Sequence, residues 1–241
     1  MFATHANANT LTFHMQLFKF KRVAPSDNSL MEQIFRLRYQ VYGCERQFIS
    51  TDNYPDGMEC DEYDDHAVHV AAINRFGEVI GALRLIFNHA ITLPIEKHVE
   101  HINLSAPVPG LLCFAEISRL VISKKLRQRC NGRYLQMGHS ESRAPSQKSF
   151  LRFARPLAFG LCQQMYLESR EEGVTHWLCM MEKGLCALLK MYGMEFHCIG
   201  EELECMGKVQ PYVAPVHPME PAPIGPQDHR YSRLPAALSI S

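Results

Sequence analysis

Apolar and polar positions follow two different periods along the chain, and the change of period predicts alternating strands and helices. Residues 15–23 alternate as in a half-buried strand. Apolar residues recur at helical spacing over 29–45 and again over 150–172, and the Ser-Asp-Asn run at 26–28 can cap the first of these helices. Pro156 is expected either to kink the second helix or to begin it in its first turn.

Shorter apolar runs predict the other elements. Residues 67–73 and 78–87 flank a short Asn-Arg-Phe-Gly segment and predict a hairpin, which a loop through about residue 110 follows. The remaining predictions are a central strand at 112–123, a strand at 174–181, a helix at 182–194, and two closing strands at 195–200 and 202–213.

This order of elements predicts an α/β fold, a mixed sheet flanked by helices, with a ligand crevice where the central strand meets the helix that follows it. We expect residues 1–210 to form one domain. From Pro211 onward the composition changes, because seven of the fourteen prolines lie in the last 31 residues. Residues 211–241 are therefore expected to form an extended tail.

The overall composition narrows the class of protein. Nine cysteines without a Cys-x-x-Cys pair argue against a zinc site and against a disulfide framework, and favour reduced thiols in a cytoplasmic protein. His66 and His69 would lie on opposite faces of a strand, so no metal site is predicted. No apolar run is long enough to span a membrane, and the first residues do not have the pattern of a signal peptide.

The neutral net charge hides two oppositely charged segments. Residues 45–65 contain eight acidic side chains and one basic, and residues 119–155 contain ten basic and one acidic. The basic segment suits a polyanion such as nucleic acid, coenzyme phosphates or an acidic carrier protein. Nucleic acid is the weakest of these interpretations, because few aromatic residues interleave with the charges.

A loop within the basic segment has a specific pattern. Residues 127–132, Arg-Gln-Arg-Cys-Asn-Gly, resemble the loop that holds the pyrophosphate of coenzyme A in the GCN5-related N-acetyltransferase (GNAT) fold. Cys130 stands where that pattern has its first glycine, which restricts how closely a phosphate can approach the backbone.

Four further motifs, in order, resemble the acyl-homoserine-lactone synthases. They are more similar to the related N-acyl amino acid synthases and the PEP-CTERM/exosortase system-associated acyltransferases. The acidic run at 59–64 matches the Glu-x-Asp-x-Tyr-Asp motif in full, and residues 116–119 match Glu-x-Ser-Arg. The other two are the helix motif Arg38 and Tyr42 with Phe48, and the strand arginine Arg84. The lactone synthases usually carry Trp in place of Phe48 and Phe in place of Tyr42, so these residues favour the amino-acid branch.

The resemblance implies a GNAT-like N-acyltransferase fold with a mixed, mostly antiparallel sheet, and the transfer of a fatty acyl group from a thioester to an amine. It implies no tightly bound cofactor, a donor thioester on acyl carrier protein or coenzyme A, and a small amino-acid acceptor. Glu116 would be catalytic. The residues that would bind the substrate are Arg38, Tyr42, Phe48, Asp61, Asp64, Arg84 and Arg119. Those that would bind the pantetheine of the donor are Val121, Ile122, Arg127, Arg129 and Gly132.

The residues themselves leave alternatives open. Glu116 lies within an apolar run, where a carboxylate either pairs with an arginine or has a raised pKa that suits a general base. Asp61 and Asp64 could attract the ammonium group of the acceptor or could anchor arginines. Cys113 has no evident paired base, so we interpret it as a buried thiol. The alternative functions are a lactone synthase that uses S-adenosylmethionine and a non-catalytic module that binds acyl carriers.

Overall fold

The structure is a computed structural model that describes residues 18–88, 91–99, 113–124, 147–191 and 193–217, with only the backbone for 147–155. Its strands are β1 Phe18–Val23, β2 Ala67–Asn74, β3 Val79–Phe87, β4 Phe114–Ile122, β5 His176–Met181, β6 His197–Cys198, β7 Leu203–Glu204 and β8 Lys208–Pro215. Its α-helices are α1 Asn28–Arg38, α2 Pro94–His98, α3 Gln147–Glu171 and α4 Lys183–Lys190, and a π-helix continues α1 over Tyr39–Glu45.

The strands form one mixed sheet in the order β1-β2-β3-β4-β5-β8-β6, with β7 paired to β8. Every pair is antiparallel except β4 with β5. The main core lies between the sheet and helices α3 and α4, and includes the buried Trp177. A second core packs α1 on the opposite face of the sheet. The predicted mixed sheet flanked by helices is therefore confirmed.

The two parallel strands separate soon after they meet. Phe114 to Glu116 of β4 pair with His176 to Leu178 of β5, and beyond that point the described residues contain no pairing between these strands. Strand β5 continues along β8 while β4 stays paired with β3. The two strands therefore diverge on the C-terminal side of Glu116 and open a cleft, at the place where the strand order predicted a ligand crevice.

A β-bulge shapes the edge of this cleft. Ser118 lies opposite Arg84, and Val121 opposite Ala82, so β4 has one residue more than β3 in this interval. Arg119, in the bulge, has a φ of 54°, which is rare for a residue with a side chain. Because of the bulge, the neighbouring side chains of Ser118 and Arg119 both line the same cavity.

The start of the first helix follows the predicted capping. The Asp27 side chain accepts a hydrogen bond from the Leu30 backbone N–H at 3.2 Å, which is a standard N-cap. The helix widens into the π-helix after Arg38, a change that the helical period did not predict. π-helical turns are rare and occur frequently at functional sites. This segment carries Tyr42 into the cleft.

Three details differ from the predictions. The segment expected to be a loop before residue 110 contains the short helix α2, which begins at Pro94. Pro156 lies inside α3, so the alternative in which it begins the helix is wrong. Strand β8 extends through Pro215, so the first residues assigned to the tail belong to the sheet, where Tyr212 and Ala214 are buried. Residues 218–241 of the predicted tail lie outside the described residues.

Candidate active site

Three arginines and three carboxylates meet beside the cleft. Arg38 comes from α1, Arg84 from β3 and Arg119 from β4. All three face the acidic segment that precedes β2, which contributes Glu59, Asp61 and Asp64.

The six side chains form a closed, alternating ring of ion pairs. Arg38 bonds to Glu59 and, at 2.6 Å, to Asp64. The Arg84 guanidinium joins Asp64, at 2.8 Å, to Asp61. The Arg119 guanidinium closes the ring, with Nη2 at 2.9 Å from both Asp61 and Glu59. We call this arrangement the ion-pair ring, and its formal charge is zero.

The ring explains why the chain crowds acidic residues before a buried strand. Burial alone would raise the pKa of Asp64, but Arg38 and Arg84 outweigh it and lower this pKa to about 2. The pKa of Glu59 is lowered in the same way, because Arg38 and Arg119 outweigh the effect of burial. Of the two roles left open for Asp61 and Asp64, both carboxylates anchor arginines in this structure.

The ring members do not face the cleft equally. Asp61, Arg84 and Arg119 line it, whereas Arg38, Glu59 and Asp64 are not among the lining residues. Arg38 and Asp64 bond to ring members that line the cleft, and their contact with the substrate stays a prediction. His69 is buried against the same ring, with Nε2 at 3.3 Å from the Asp64 carbonyl oxygen.

Glu116 stands apart from the ring although it lies on the same strand as Arg119. It is 2% exposed, and its Oε2 accepts a hydrogen bond from the Ile95 N–H of α2 at 2.8 Å. Burial raises the pKa of Glu116 to about 7, although the Ile95 N–H, Arg84 and Arg119 act in the opposite direction. Within the described ranges no salt bridge involves Glu116, so the alternative in which it serves only as an arginine partner has no support in this geometry.

Two aromatic side chains form a shelf next to the bulge. The rings of Tyr42 and Phe48 stack with centroids 6.4 Å apart, and the Tyr42 hydroxyl donates to the Leu120 carbonyl oxygen at 3.3 Å. The guanidinium of Arg119 lies 5.7 Å from the centre of the Tyr42 ring. A side chain at Gly207, where φ is +93°, would come within 3.2 Å of the Phe48 ring, so glycine is required there.

The cleft encloses a cavity of about 330 Å³ that joins this charged wall to an apolar one. The apolar wall comes from β3, β5, α3, β8, the segment around β7, and α4 with the residues that follow it, and it is rich in sulfur. Its members include Leu83, Cys162, Met165, Cys179, Met181, Leu185, Leu189, Met194, Cys205, Met206 and Val209. A cavity with one polar and one apolar wall suits a ligand with a polar head and a hydrocarbon chain.

None of the thiols described has the surroundings of a nucleophile. Burial raises the pKa of Cys162 to about 12, and it raises that of Cys179 well above the ordinary value. Both thiols are therefore protonated at neutral pH and act as apolar lining. Cys113, expected to be a buried thiol, is only partly buried and packs against the main core.

The residues predicted to bind the donor fall into two groups. Val121 and Ile122 are completely buried and pack into the cores on opposite faces of the sheet, so their side chains cannot contact a ligand. What this part of β4 offers to a ligand is its backbone on the side that faces β5. Arg127, Arg129 and Gly132 lie outside the described residues.

The basic segment is also only partly described. Arg119 belongs to the ion-pair ring, and Lys124 pairs with Glu45 at 3.2 Å. Both positive charges are therefore compensated within the chain. The other basic side chains of 119–155 lie outside the residues whose side chains are described.

Sequence reasoning missed several residues of the site. Arg46 and Glu182 both line the cavity and face each other at 3.7 Å. Neither belongs to a recognisable motif, and they are far apart in sequence. Glu59 was part of the matched acidic motif but was not assigned to the site, although its position at the start of that motif was an available signal.

Comparison with known proteins agrees with this geometry. Residues 37–136 match the acetyltransferase (GNAT) domain family. No curated protein sequence matches the chain. The match contains Arg38, the acidic motif, Arg84, Glu116 and Arg119.

Solved structures extend the similarity over most of the chain. The acyl-homoserine-lactone synthase LasI is 16% identical, with 83% of this chain and 89% of LasI covered and a TM-score of 0.57. The coenzyme A-dependent lactone synthase BjaI, solved with methylthioadenosine (MTA), is 17% identical, with 83% and 84% covered and a TM-score of 0.59. FeeM, an N-acyl amino acid synthase from uncultured soil microbes, is 14% identical, with 83% and 90% covered and a TM-score of 0.49.

The sheet with its divergent strands is therefore a GNAT-like acyltransferase fold, and residues 37–136 are similar to the acetyltransferase (GNAT) domain. The protein is an acyltransferase. Among the described helices, none is both long and apolar enough to cross a membrane.

Proposed function

We propose that this protein is an N-acyl amino acid synthase that transfers a long-chain fatty acyl group from a thioester to the α-amine of an amino acid. The observation that carries the proposal is the position of Glu116. Its buried carboxyl group, with a pKa of about 7, lies where the charged wall and the apolar wall of the cavity meet. A base with that pKa is well matched to accepting a proton at neutral pH.

The reaction follows from this placement. The amine of the acceptor attacks the thioester carbonyl carbon, and a C–N bond forms. A proton of the attacking nitrogen passes to the Glu116 carboxylate, directly or through water. The tetrahedral intermediate then collapses, the C–S bond breaks, and the proton moves on to the thiolate that leaves. Backbone N–H groups of β4 beyond Glu116, where the described residues show no pairing with β5, are candidates for stabilising the oxyanion.

The two walls of the cavity suit the two substrates, the acyl chain of the donor and the amino-acid acceptor. Met165, Met181 and Leu189 provide apolar surface for a hydrocarbon chain. The ion-pair ring and the aromatic shelf provide a polar surface that suits a small zwitterion. Tyr42 and Phe48 replace the residues usual in lactone synthases, and this favours an amino acid over S-adenosylmethionine as the acceptor.

The acceptor can be tested with purified protein. A long-chain acyl thioester is supplied with either a mixture of amino acids or S-adenosylmethionine, and the products are identified by mass spectrometry. We expect N-acyl amino acids, formed far more slowly by Glu116→Gln protein than by the wild type. Formation of an acyl-homoserine lactone with release of methylthioadenosine would replace this proposal with the lactone synthase. Binding of the thioester without turnover would instead indicate a non-catalytic acyl-carrier-binding module.

We further propose acyl carrier protein as the donor's carrier. The basic residues of 125–155 would attract its acidic surface, and such docking is sensitive to salt. Changing Lys125, Arg133 and Lys148 to Glu should raise KM for the carrier-bound donor and leave turnover of a short acyl-pantetheine thioester unchanged. Equal efficiency with acyl-coenzyme A at all salt concentrations, unaffected by the substitutions, would identify coenzyme A as the carrier.

A further inference from the structure

Two charged residues outside the ion-pair ring contact each other in the lining of the cavity. Arg46 follows the π-helix on the charged side, and Glu182 joins β5 to α4 on the apolar side. Arg46 Nη1 lies 3.7 Å from Glu182 Oε1, and the two side chains are 24% and 26% exposed. Both line the cavity. The pair therefore belongs to the lining of the cavity, in reach of a ligand that enters it.

Arg46 differs from the ring arginines in how readily a ligand can reach it. Arg38 and Arg84 are 1% exposed, and each ring arginine bonds to two carboxylates at short distances. A substrate carboxylate could bind them only by displacing a buried protein carboxylate, which is unfavourable. The contact between Arg46 and Glu182 is longer and partly exposed, so exchanging this carboxylate for that of a ligand requires less energy than exchanging one in the ring.

The guanidinium of Arg46 is also held in a defined place. It lies 5.4 Å from the centre of the Phe48 ring, which in turn stacks on Tyr42. Tyr42 is hydrogen-bonded to Leu120 of β4. Stacking on an aromatic face leaves the in-plane N–H donors of a guanidinium able to bind a carboxylate with two parallel hydrogen bonds. The aromatic shelf therefore connects the position of Arg46 to the strand that carries Glu116.

We propose that Arg46 binds the α-carboxylate of the amino-acid acceptor, and that Glu182 is an internal carboxylate that occupies Arg46 until the acceptor arrives. The inference rests on the proposed function, because it requires an amino acid whose amine is presented to Glu116. It makes Arg46 a specificity-determining residue that selects acceptors with a free carboxylate. Amines without one are excluded even when their amine could reach Glu116.

The test compares the wild type with Arg46→Gln, each with an acceptor that has a free carboxylate and with one that lacks it. The acceptors are the amino acid that the wild-type enzyme acylates best and the primary amide of that amino acid. For the wild type we expect KM to be about 10- to 100-fold higher for the amide, the usual effect of losing a hydrogen-bonded ion pair. In Arg46→Gln, KM for the amino acid should rise by a similar factor, whereas KM for the amide should change little. A merely structural role of Arg46 would raise both KM values equally, and that result would overturn the inference.

Two further variants complete the experiment. Arg36→Gln removes an exposed arginine that pairs with Glu32 on α1 and does not line the cavity, so it should leave both KM values unchanged. Glu182→Gln removes the competing carboxylate and should lower KM for the amino acid. A rise in that KM would contradict the role given to Glu182. If the wild-type protein acylates no amino acid at all, the proposed function fails, whereas equal effects on acid and amide refute only this inference.

Discussion

The two walls of the cavity are built on opposite principles. On the charged wall, each ring residue bonds to two partners through directional ion pairs, and the positions of the groups are closely defined. On the apolar wall, methionine and cysteine side chains predominate, and these are unbranched or small, polarisable and adaptable. One wall is suited to holding reacting groups in one geometry, and the other to accommodating chains of different shape.

This difference indicates where specificity and catalysis reside. A shift of the charged wall would displace Arg84 and Arg119, which lie close enough to Glu116 to lower its pKa. A shift of the apolar wall changes only the space available to a chain. We therefore expect substitutions on the charged wall to affect the chemical step or the stability of the fold, and substitutions on the apolar wall to affect the choice of acyl group.

The largest effect is expected at Glu116, where the two walls meet. Glu116→Gln should lower kcat by roughly two to four orders of magnitude, since it removes the general base. In the wild type, kcat/KM should rise with pH and level off above about pH 7, where the carboxyl group is ionised. Initial-rate measurements from pH 5 to about pH 9 would check both statements. Turnover close to wild type in a folded variant would remove Glu116 from the mechanism.

The same variant has an opposite effect on stability, which serves as the control for folding. A carboxyl group whose pKa is raised on folding stabilises the protein fully only below its unfolded pKa, and this contribution is lost as the pH rises through about 7. Glu116→Gln should therefore exceed the wild type in unfolding free energy by roughly 1–3 kcal/mol at pH 8. Urea titration followed by the fluorescence of the single, buried Trp177 gives the measurement.

The next effect concerns the ion-pair ring. Asp64→Asn should lower the free energy of unfolding by about 3 kcal/mol, because it leaves charge on the buried Arg38 and Arg84 uncompensated. Asp61→Asn should lower the free energy of unfolding less, by about 1 kcal/mol, because the Asp61 side chain is 22% exposed. Denaturant titration measures both, and equal effects would show that burial does not control the ring's contribution.

The pH dependence of the ring has the opposite sign to that of Glu116. The pKa of Asp64 is depressed, so its contribution is complete above its unfolded pKa and is lost as the pH falls through about 2. The difference in stability between wild type and Asp64→Asn should therefore shrink below about pH 4. A difference that stays constant between neutral pH and pH 2 would show that the ionised carboxylate is not what stabilises the fold.

The smallest effect is expected on the apolar wall. Met165→Phe introduces a rigid ring into the space proposed for the acyl chain, and should lower kcat/KM for the longest accepted chain by about 10-fold. Shorter chains should be affected much less, so the preferred length decreases. Competition between acyl donors of different lengths measures this. Met165→Leu, which nearly conserves volume, is the matched control and should keep the wild-type profile. A uniform loss over all lengths would show that Met165 does not contact the chain.

The sequence alone could predict those site residues that conflict with the pattern of their neighbours. Glu116 and Arg84 are charged residues within apolar strand patterns, and such a conflict between charge and burial is visible without a structure. Arg46 and Glu182 gave no such signal, because surface-like charges in loops become significant only when the fold brings them together.

Backbone features were the least predictable. The five-residue helix α2 is too short to show a period, although its Ile95 N–H is the hydrogen-bond partner of Glu116. The π-helix has nearly the same apolar pattern as an α-helix, so the sequence predicted a single continuous helix over 29–45. The bulge at Arg119 depends on how β4 pairs with β3, which is a property of two strands and not of one.

The closed form of the ion-pair ring also limits how this sequence can change over time. Because positive and negative members alternate around a buried circuit, loss of any single member leaves an unbalanced charge in the interior. Neutrality survives only when one arginine and one carboxylate are lost together. We therefore expect the six positions to be substituted in pairs, one arginine together with one carboxylate. A related protein that has lost the activity could lose the ring one residue at a time only through an unstable intermediate sequence.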